Sequence, residues 1–263
     1  MGSSTLFLHA IILTWSTGGD DTMKKASGRG LVKSVVDILG QRIAAGQYSE
    51  GEILPIEQDL ADSLSVGRNA LREAVKVLSG KGLISTAPRS GTKIRPRDEW
   101  NMLDPDVLSW HANPETATPE FLLALLEIRR IIEPKAAELA ATRATREDVA
   151  AILTAYDDMR RFNEDPEKRM AADTQMHTAV LVASHNAFIG HFRYAVATYL
   201  KAHSKIGWET DEHKLEMDLE LHHDIAWSIA RGKAKSAYSN TVKMLNSSRL
   251  RVEASGRSLA GEA

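Results

Sequence analysis

The 263-residue chain contains no cysteine. That excludes a disulfide scaffold and any thiolate metal centre, and it fits a reducing compartment, the cytoplasm. Eight prolines and 17 glycines are too few for a low-complexity protein. Long apolar runs are also missing. The apolar stretch from Leu6 to Trp15 is interrupted by His9, is too short to span a bilayer, and has no basic residue ahead of it. Residues 1–22 are therefore read as a disordered extension, or as a leader ahead of a start at Met23. No membrane partner is expected.

Excess charge is missing as well, with a net value of -2, but the balance is uneven along the chain. Residues 23–98 carry 13 lysines and arginines against 8 aspartates and glutamates, whereas residues 99–263 carry 20 against 25. A basic third joined to an acidic remainder implies two jobs, the first with a polyanion as partner.

In the basic third, apolar positions of Leu31–Ala45 recur at helical spacing up to the stop signal Gly46. After the turn-rich GQYSEGEILP, Glu57–Leu64 reads as a short helix, and the turn SVG leads into a second helix from Arg68. Leu71, Ala74, Val75 and Leu78 form that helix's core face, while Arg68, Arg72 and Lys76 form a basic ridge on another face. Two helices joined this tightly form a helix-turn-helix. Beyond Gly82, LIST and TKIRP flank a Pro/Gly turn. They predict a β-hairpin wing carrying Arg89, Lys93 and Arg95.

Leu54-Pro55, Glu57, Leu60-Ala61, Val66-Gly67-Arg68, Arg72-Glu73-Ala74 and Gly91-Thr92 occupy spaced positions that together resemble the GntR family of bacterial transcription regulators. The resemblance implies that Arg68, Asn69 and Arg72 on the recognition helix, with Gln58, Arg89 and Lys93, contact double-stranded DNA. Arginine at the N-terminal end of such a helix can donate two bonds to guanine O6 and N7. Two positions depart from the family pattern. Gly67 stands where a capping Ser or Thr is usual, and Gln58 where many members place an arginine.

From residue 118 strand signals vanish. Six helical segments are expected: Pro119–Thr142, Thr145–Phe162, Pro166–Ser184, Ala187–Ile206, Asp211–Arg231 and Ala234–Ala254. Thr145 and Asp148 form a capping-box variant. The expected fold is mainly α, a winged helix-turn-helix (23–98), a linker (99–117), an antiparallel helical bundle (118–255) and a tail (256–263).

Asp173 and His177 lie four apart on one helix and share a face, and His222 on a later helix can complete a nitrogen-oxygen set for a divalent ion. Spacing alone favours a hydrogen-bonded Asp–His pair beside a buried histidine over a metal site. Glu127-Ile128-Arg129, Glu133-Pro134, Asp173-x-x-x-His177 and His222 also resemble the FCD domain of the family's FadR branch. That resemblance implies a metal held by Asp173, His177 and His222: zinc first, with nickel or manganese as options. It also implies a small organic acid effector held by Arg129 and Asn186. Two alternatives stay open, an Arg129–Glu133 pair and helix capping by Asn186. Where the domain usually has a third histidine, this chain has Met244. The linker WNMLDPDVLSW looks like that of galactonate-type regulators within the branch.

Three functions follow. The first is a homodimeric regulator, a repressor of sugar-acid genes, that leaves a palindromic operator when an aldonate binds. The second is a metal-dependent hydrolase using Asp173, His177 and His222, for which no general base stands out. The third is a DNA-packaging protein without effector, which the inward Asp/His set argues against.

Overall fold

The computed structural model describes residues 28–87, 90–112, 118–203 and 212–261. Among them the chain divides into two compact units, one ending at Trp110 and the other beginning at His111.

The first unit opens with α1 (Gly28–Ala44). Val35, Val36, Leu39 and Ile43 form its buried stripe. Gly46, at φ +73°, ends it, and the N–H groups of Gly46 and Gln47 cap the last carbonyls of Ile43 and Arg42 at 3.0 Å each. Helices α2 (Glu57–Ser63) and α3 (Arg68–Gly80) follow. The α3 face predicted to be apolar faces inward: Leu71, Ala74 and Leu78 are buried, and Val75 packs beside them.

Strands β1 (Ile84–Ala87) and β2 (Gly91–Ile94) pair antiparallel, with Ile84 opposite Ile94. This is a three-helix winged helix-turn-helix. The short helix α4 (Pro105–His111) comes next. Trp100, Val107 and Trp110 pack into the same core as α1 and α3. A glycine inside a helix costs about 1 kcal/mol relative to alanine, and α1 carries one at Gly40 because the Trp110 ring lies on it. A Cβ there would come within 2.5 Å of the indole. The indole N–H donates to Asp37 Oδ1 at 3.2 Å. Lys81, just past α3, reaches Asp104 at 2.8 Å and Asp106 at 2.9 Å.

The second unit is all helical: α5 (Pro119–Arg143), α6 (Arg146–Arg161), α7 (Pro166–Ala183), α8 (Ala187–His191), α9 (Arg193–His203), α10 (Glu212–Ala230) and α11 (Ala234–Gly261). Helix α5 is central, touching α7, α9, α10 and α11, so side chains on several of its faces are enclosed. Two expectations are corrected. The segment expected as one helix from Ala187 is broken at Phe192, whose N–H bonds the Ile189 carbonyl at 3.0 Å, and the Arg193 guanidinium donates to the Gly190 carbonyl at 2.8 Å. The last helix continues past Ala254 to Gly261. No described helix is long and apolar enough to cross a membrane.

The capping box at α6 forms as expected. Asp148 Oδ2 accepts from the Thr145 N–H at 2.8 Å, and Thr145 Oγ1 accepts from the Asp148 N–H at 3.1 Å. The Thr145 N–H, aided by His185 at 2.7 Å, holds the Asp148 carboxyl below the usual carboxylate range. A depressed pKa contributes stability that is complete above the ordinary value, about 4. It is lost as pH falls through the lowered one. Asp148→Asn should therefore lower the melting temperature of this unit at pH 6, and the difference from wild type should shrink toward pH 3. A difference that stays constant across that range would show that the carboxylate charge is irrelevant.

Candidate DNA-contact and effector sites

Arg68 and Asn69 open α3 with exposed side chains, after the N-cap Gly67, which offers no side-chain bond. Arg68 makes no ion pair among the described residues. Arg72, one turn on, is braced by an ion pair: its Nε lies 2.6 Å from Glu57 Oε1 on α2. The Arg72 side chain stays largely exposed beside this pair, and an arginine fork can donate two bonds to a guanine edge. Gln58 Nε2 is tied to both Asp62 oxygens at 2.8 Å. Lys93 is exposed on β2 opposite Ser85, and Arg95 pairs with Glu99 at 2.5 Å. Arg89 lies outside the described residues. The helix-turn-helix thus gathers Arg68, Asn69, Arg72 and Gln58 on two adjacent helices. Glu57 entered the sequence reading only as a family match. Its role as the arginine's brace is a tertiary contact between α2 and α3.

In the second unit, the three residues proposed as metal ligands meet. Asp173 Oδ1 lies 3.1 Å from His222 Nε2 and 3.4 Å from His177 Nε2, and the two Nε2 atoms are 3.4 Å apart. All three side chains are buried, and they are the group of this kind found among the described residues. Two ligands about 2.0–2.1 Å from a tetrahedral ion stand roughly 3.3–3.4 Å apart, so the spacing suits one small divalent cation. The rest of the arrangement agrees. His177 Nδ1 faces Glu133 Oε2 at 2.6 Å, and His222 Nδ1 faces the Asp218 carbonyl at 2.7 Å. With each Nδ1–H donated outward, each Nε2 would be free to offer its lone pair to an ion shared with Asp173. Asp173 Oδ1 is buried without a hydrogen bond of ordinary geometry, which is what a cation-facing oxygen looks like. The residues therefore fit a divalent ion.

Burial disfavours charge here, yet the carboxylates outweigh it. Glu133 and Asp173 push the His177 pKa up to about 9. Burial also opposes the charge on Glu133, but Arg129 and His177 hold its pKa down to about 2.

Arg129, only 2% exposed, lies on α5 between these groups. Its Nε donates to Glu133 Oε1, its guanidinium lies 4.5 Å from the centre of the Tyr199 ring, and one Nη is 3.5 Å from His177 Nε2. The Arg129–Glu133 pair left open by the sequence is present, and it sits against the ligand cluster. Asn186 is elsewhere: its Oδ1 accepts from the Phe188 and Ile189 N–H groups and caps α8. It is not among the residues around the cavity. That cavity, of about 10 Å³, is bounded by Glu133, His177, His222, Thr241, Met244 and apolar neighbours. Tyr199 escaped the sequence reading, since no local motif ties it to Arg129 some 70 positions earlier. Glu133 was legible as the i+4 partner.

A basic winged helix-turn-helix and, in a second unit, a helical bundle with a buried Asp/His cluster beside an arginine define a DNA-binding transcription regulator. The comparisons agree. The gntR family of bacterial regulatory proteins matches residues 31–94 and the FCD domain matches residues 124–246. The galactonate operon transcriptional repressor of Escherichia coli (strain K12) is 32% identical over 219 residues, covering 83% of this chain and 95% of that protein. The Glc operon transcriptional activator of the same organism is 29% identical over 167 residues, 62% of this chain and 64% of the relative. The solved structure of Lar, described as controlling the Listeria monocytogenes agr system, shares the fold. It has a TM-score of 0.61 at 19% identity, over 85% of this chain and 96% of that one. The chain belongs to the gntR family of regulators and carries an FCD domain. Both matched domains are regulatory, not catalytic.

Proposed function

We propose that this regulator, as a homodimer, represses genes of sugar-acid catabolism, and that an aldonate of the galactonate kind releases it from a palindromic operator. The carrying observation is one buried cluster in which three donors for a divalent ion, with zinc the first choice, adjoin a guanidinium. An ion there supplies a Lewis-acidic anchor for a carboxylate oxygen and a neighbouring hydroxyl. Arg129 can share its charge between Glu133 and the acid, because its planar fork offers more donors than Glu133 occupies. The similarity to a galactonate operon repressor favours a sugar acid among the carboxylates. A cavity of about 10 Å³ holds roughly one water, so a six-carbon acid must part the helices around it. That differential fit is what lets a ligand shift an equilibrium between two states.

On the DNA side, Arg68→Ala should weaken operator binding by about 1–3 kcal/mol and relax base preference. Lys93→Ala should lower affinity evenly across sequences and flatten the salt dependence. The test is a gel shift on the DNA upstream of the gene, titrated with galactonate and related aldonates. Binding with no release by any acid of the panel would overturn the effector assignment. Unchanged affinity in a folded Arg68→Ala protein would overturn the recognition-helix assignment.

A further inference from the structure

Residues 99–263 carry 20 lysines and arginines against 25 aspartates and glutamates, yet one groove on the helical unit reverses the sign. It is open, about 460 Å³ in volume, and runs between the end of α10 and the first half of α11. Trp227, Arg231, Lys233, Lys235 and Lys243 line it against one carboxylate, Asp224. Asp224 Oδ1 lies 3.4 Å from His223 Nδ1. The three lysines are exposed and make no ion pair among the described residues. Lys235 and Lys243 are two helical turns apart on one face of α11. Cations gathered without a counter-charge repel one another, and an anion settling among them relieves that repulsion.

The groove offers a flat platform as well as charge. Trp227 is 39% exposed, and the Arg231 guanidinium carbon lies 5.2 Å from the centre of its ring. An aromatic ring and a guanidinium side by side are a surface on which another flat ring can pack. The walls are tied together: Asn240 Nδ2 on α11 donates to the Asp224 carbonyl and to Ser228 Oγ on α10, at 3.2 Å each. We propose that this groove is a second ligand site, separate from the Asp/His cluster, and that it takes a phosphate monoester bearing a flat ring, of the mononucleotide kind. Several lysines, acting as point charges, suit the multiple oxygens and double charge of a phosphate. The indole takes the ring, and the groove's volume is that of an ordinary small-molecule site. The inference is independent of the acid-sensing reading, which stands or falls on Arg129 and its neighbours.

The test titrates the full chain by calorimetry, at low salt and with a metal chelator present, with AMP, ribose 5-phosphate, inorganic phosphate and adenosine in turn. AMP should bind about tenfold more tightly than any of the other three, since only it brings ring and phosphate together. Its affinity should fall as salt rises, because the lysines are exposed. The double change Lys235→Gln, Lys243→Gln should weaken AMP binding about tenfold and leave melting temperature and operator affinity at wild-type values. Trp227→Ala should weaken AMP binding about fivefold or more and leave ribose 5-phosphate binding unchanged. Arg68→Ala, on the DNA-contact helix, should bind AMP as wild type does.

No binding of AMP to wild type, or binding that survives the double lysine change, would overturn the site. Equal affinities for AMP and ribose 5-phosphate would overturn it as well, since the indole would then read nothing. Loss of AMP binding in Arg68→Ala would place the nucleotide on the DNA-contact helix instead. The lysine variants alter only exposed side chains, so they decide the matter even where Trp227→Ala fails to fold.

Discussion

Arg129→Ala should destabilise the helical unit by about 3–5 kcal/mol, the usual cost of removing one partner from a buried ion pair. The reason lies in Glu133, which is 3% exposed and whose charge depends chiefly on Arg129, with help from His177. Truncating the arginine leaves a carboxylate in the core with half its compensation, and also removes the cation stacked on Tyr199. Denaturant unfolding monitored by helix content measures the loss. Adding Glu133→Gln should recover part of it, because the two sites are coupled and the uncompensated charge is gone. A loss under 1 kcal/mol would mean that the pair is not what holds Glu133 ionised. The result bears on function too. Failure of Arg129→Ala to respond to an acid would be confounded by unfolding, whereas Arg129→Lys keeps the charge and loses the fork. The lysine variant should stay folded, bind operator, and release poorly.

His222→Ala should remove most of the metal-dependent stabilisation. A ligand present at 100 times its Kd stabilises the native state by about 2.7 kcal/mol. Loss of a supporting partner already costs metal sites 10–100-fold in affinity, so loss of a direct ligand should cost at least about 100-fold. At the same zinc concentration that reduces the stabilisation to about 0.4 kcal/mol. His222 is a cleaner target than His177, because its Nδ1 is held by the Asp218 carbonyl on its own helix, whereas His177 also supports Glu133. Thermal unfolding with and without zinc, together with elemental analysis of the purified protein, reads the effect. Equal zinc stabilisation in His222→Ala and wild type would place the ion elsewhere, or nowhere.

The sequence by itself determined the parts whose signals are local. Helical periods of apolar residues located most of the helices, though not α4 in the expected linker, the Pro/Gly turn located the wing, and the capping pair Thr145–Asp148 marked where α6 begins. Asp173 and His177, one turn apart, could be placed on one face before any fold was known. The tertiary structure alone decided what depends on pairs distant in the chain. His222 joins Asp173 only because α7 and α10 both pack against α5. Tyr199 comes under Arg129, and Glu57 braces Arg72, through contacts with no spacing rule behind them. The break at Phe192 was equally hidden, since no proline or other stop signal stands there in the sequence. Trp100 and Trp110 look like residues of a connecting segment, yet they complete the core of the DNA-binding unit. Burial of a side chain is set by the faces that meet it, and a period along one helix reports which face is apolar but not what it will touch.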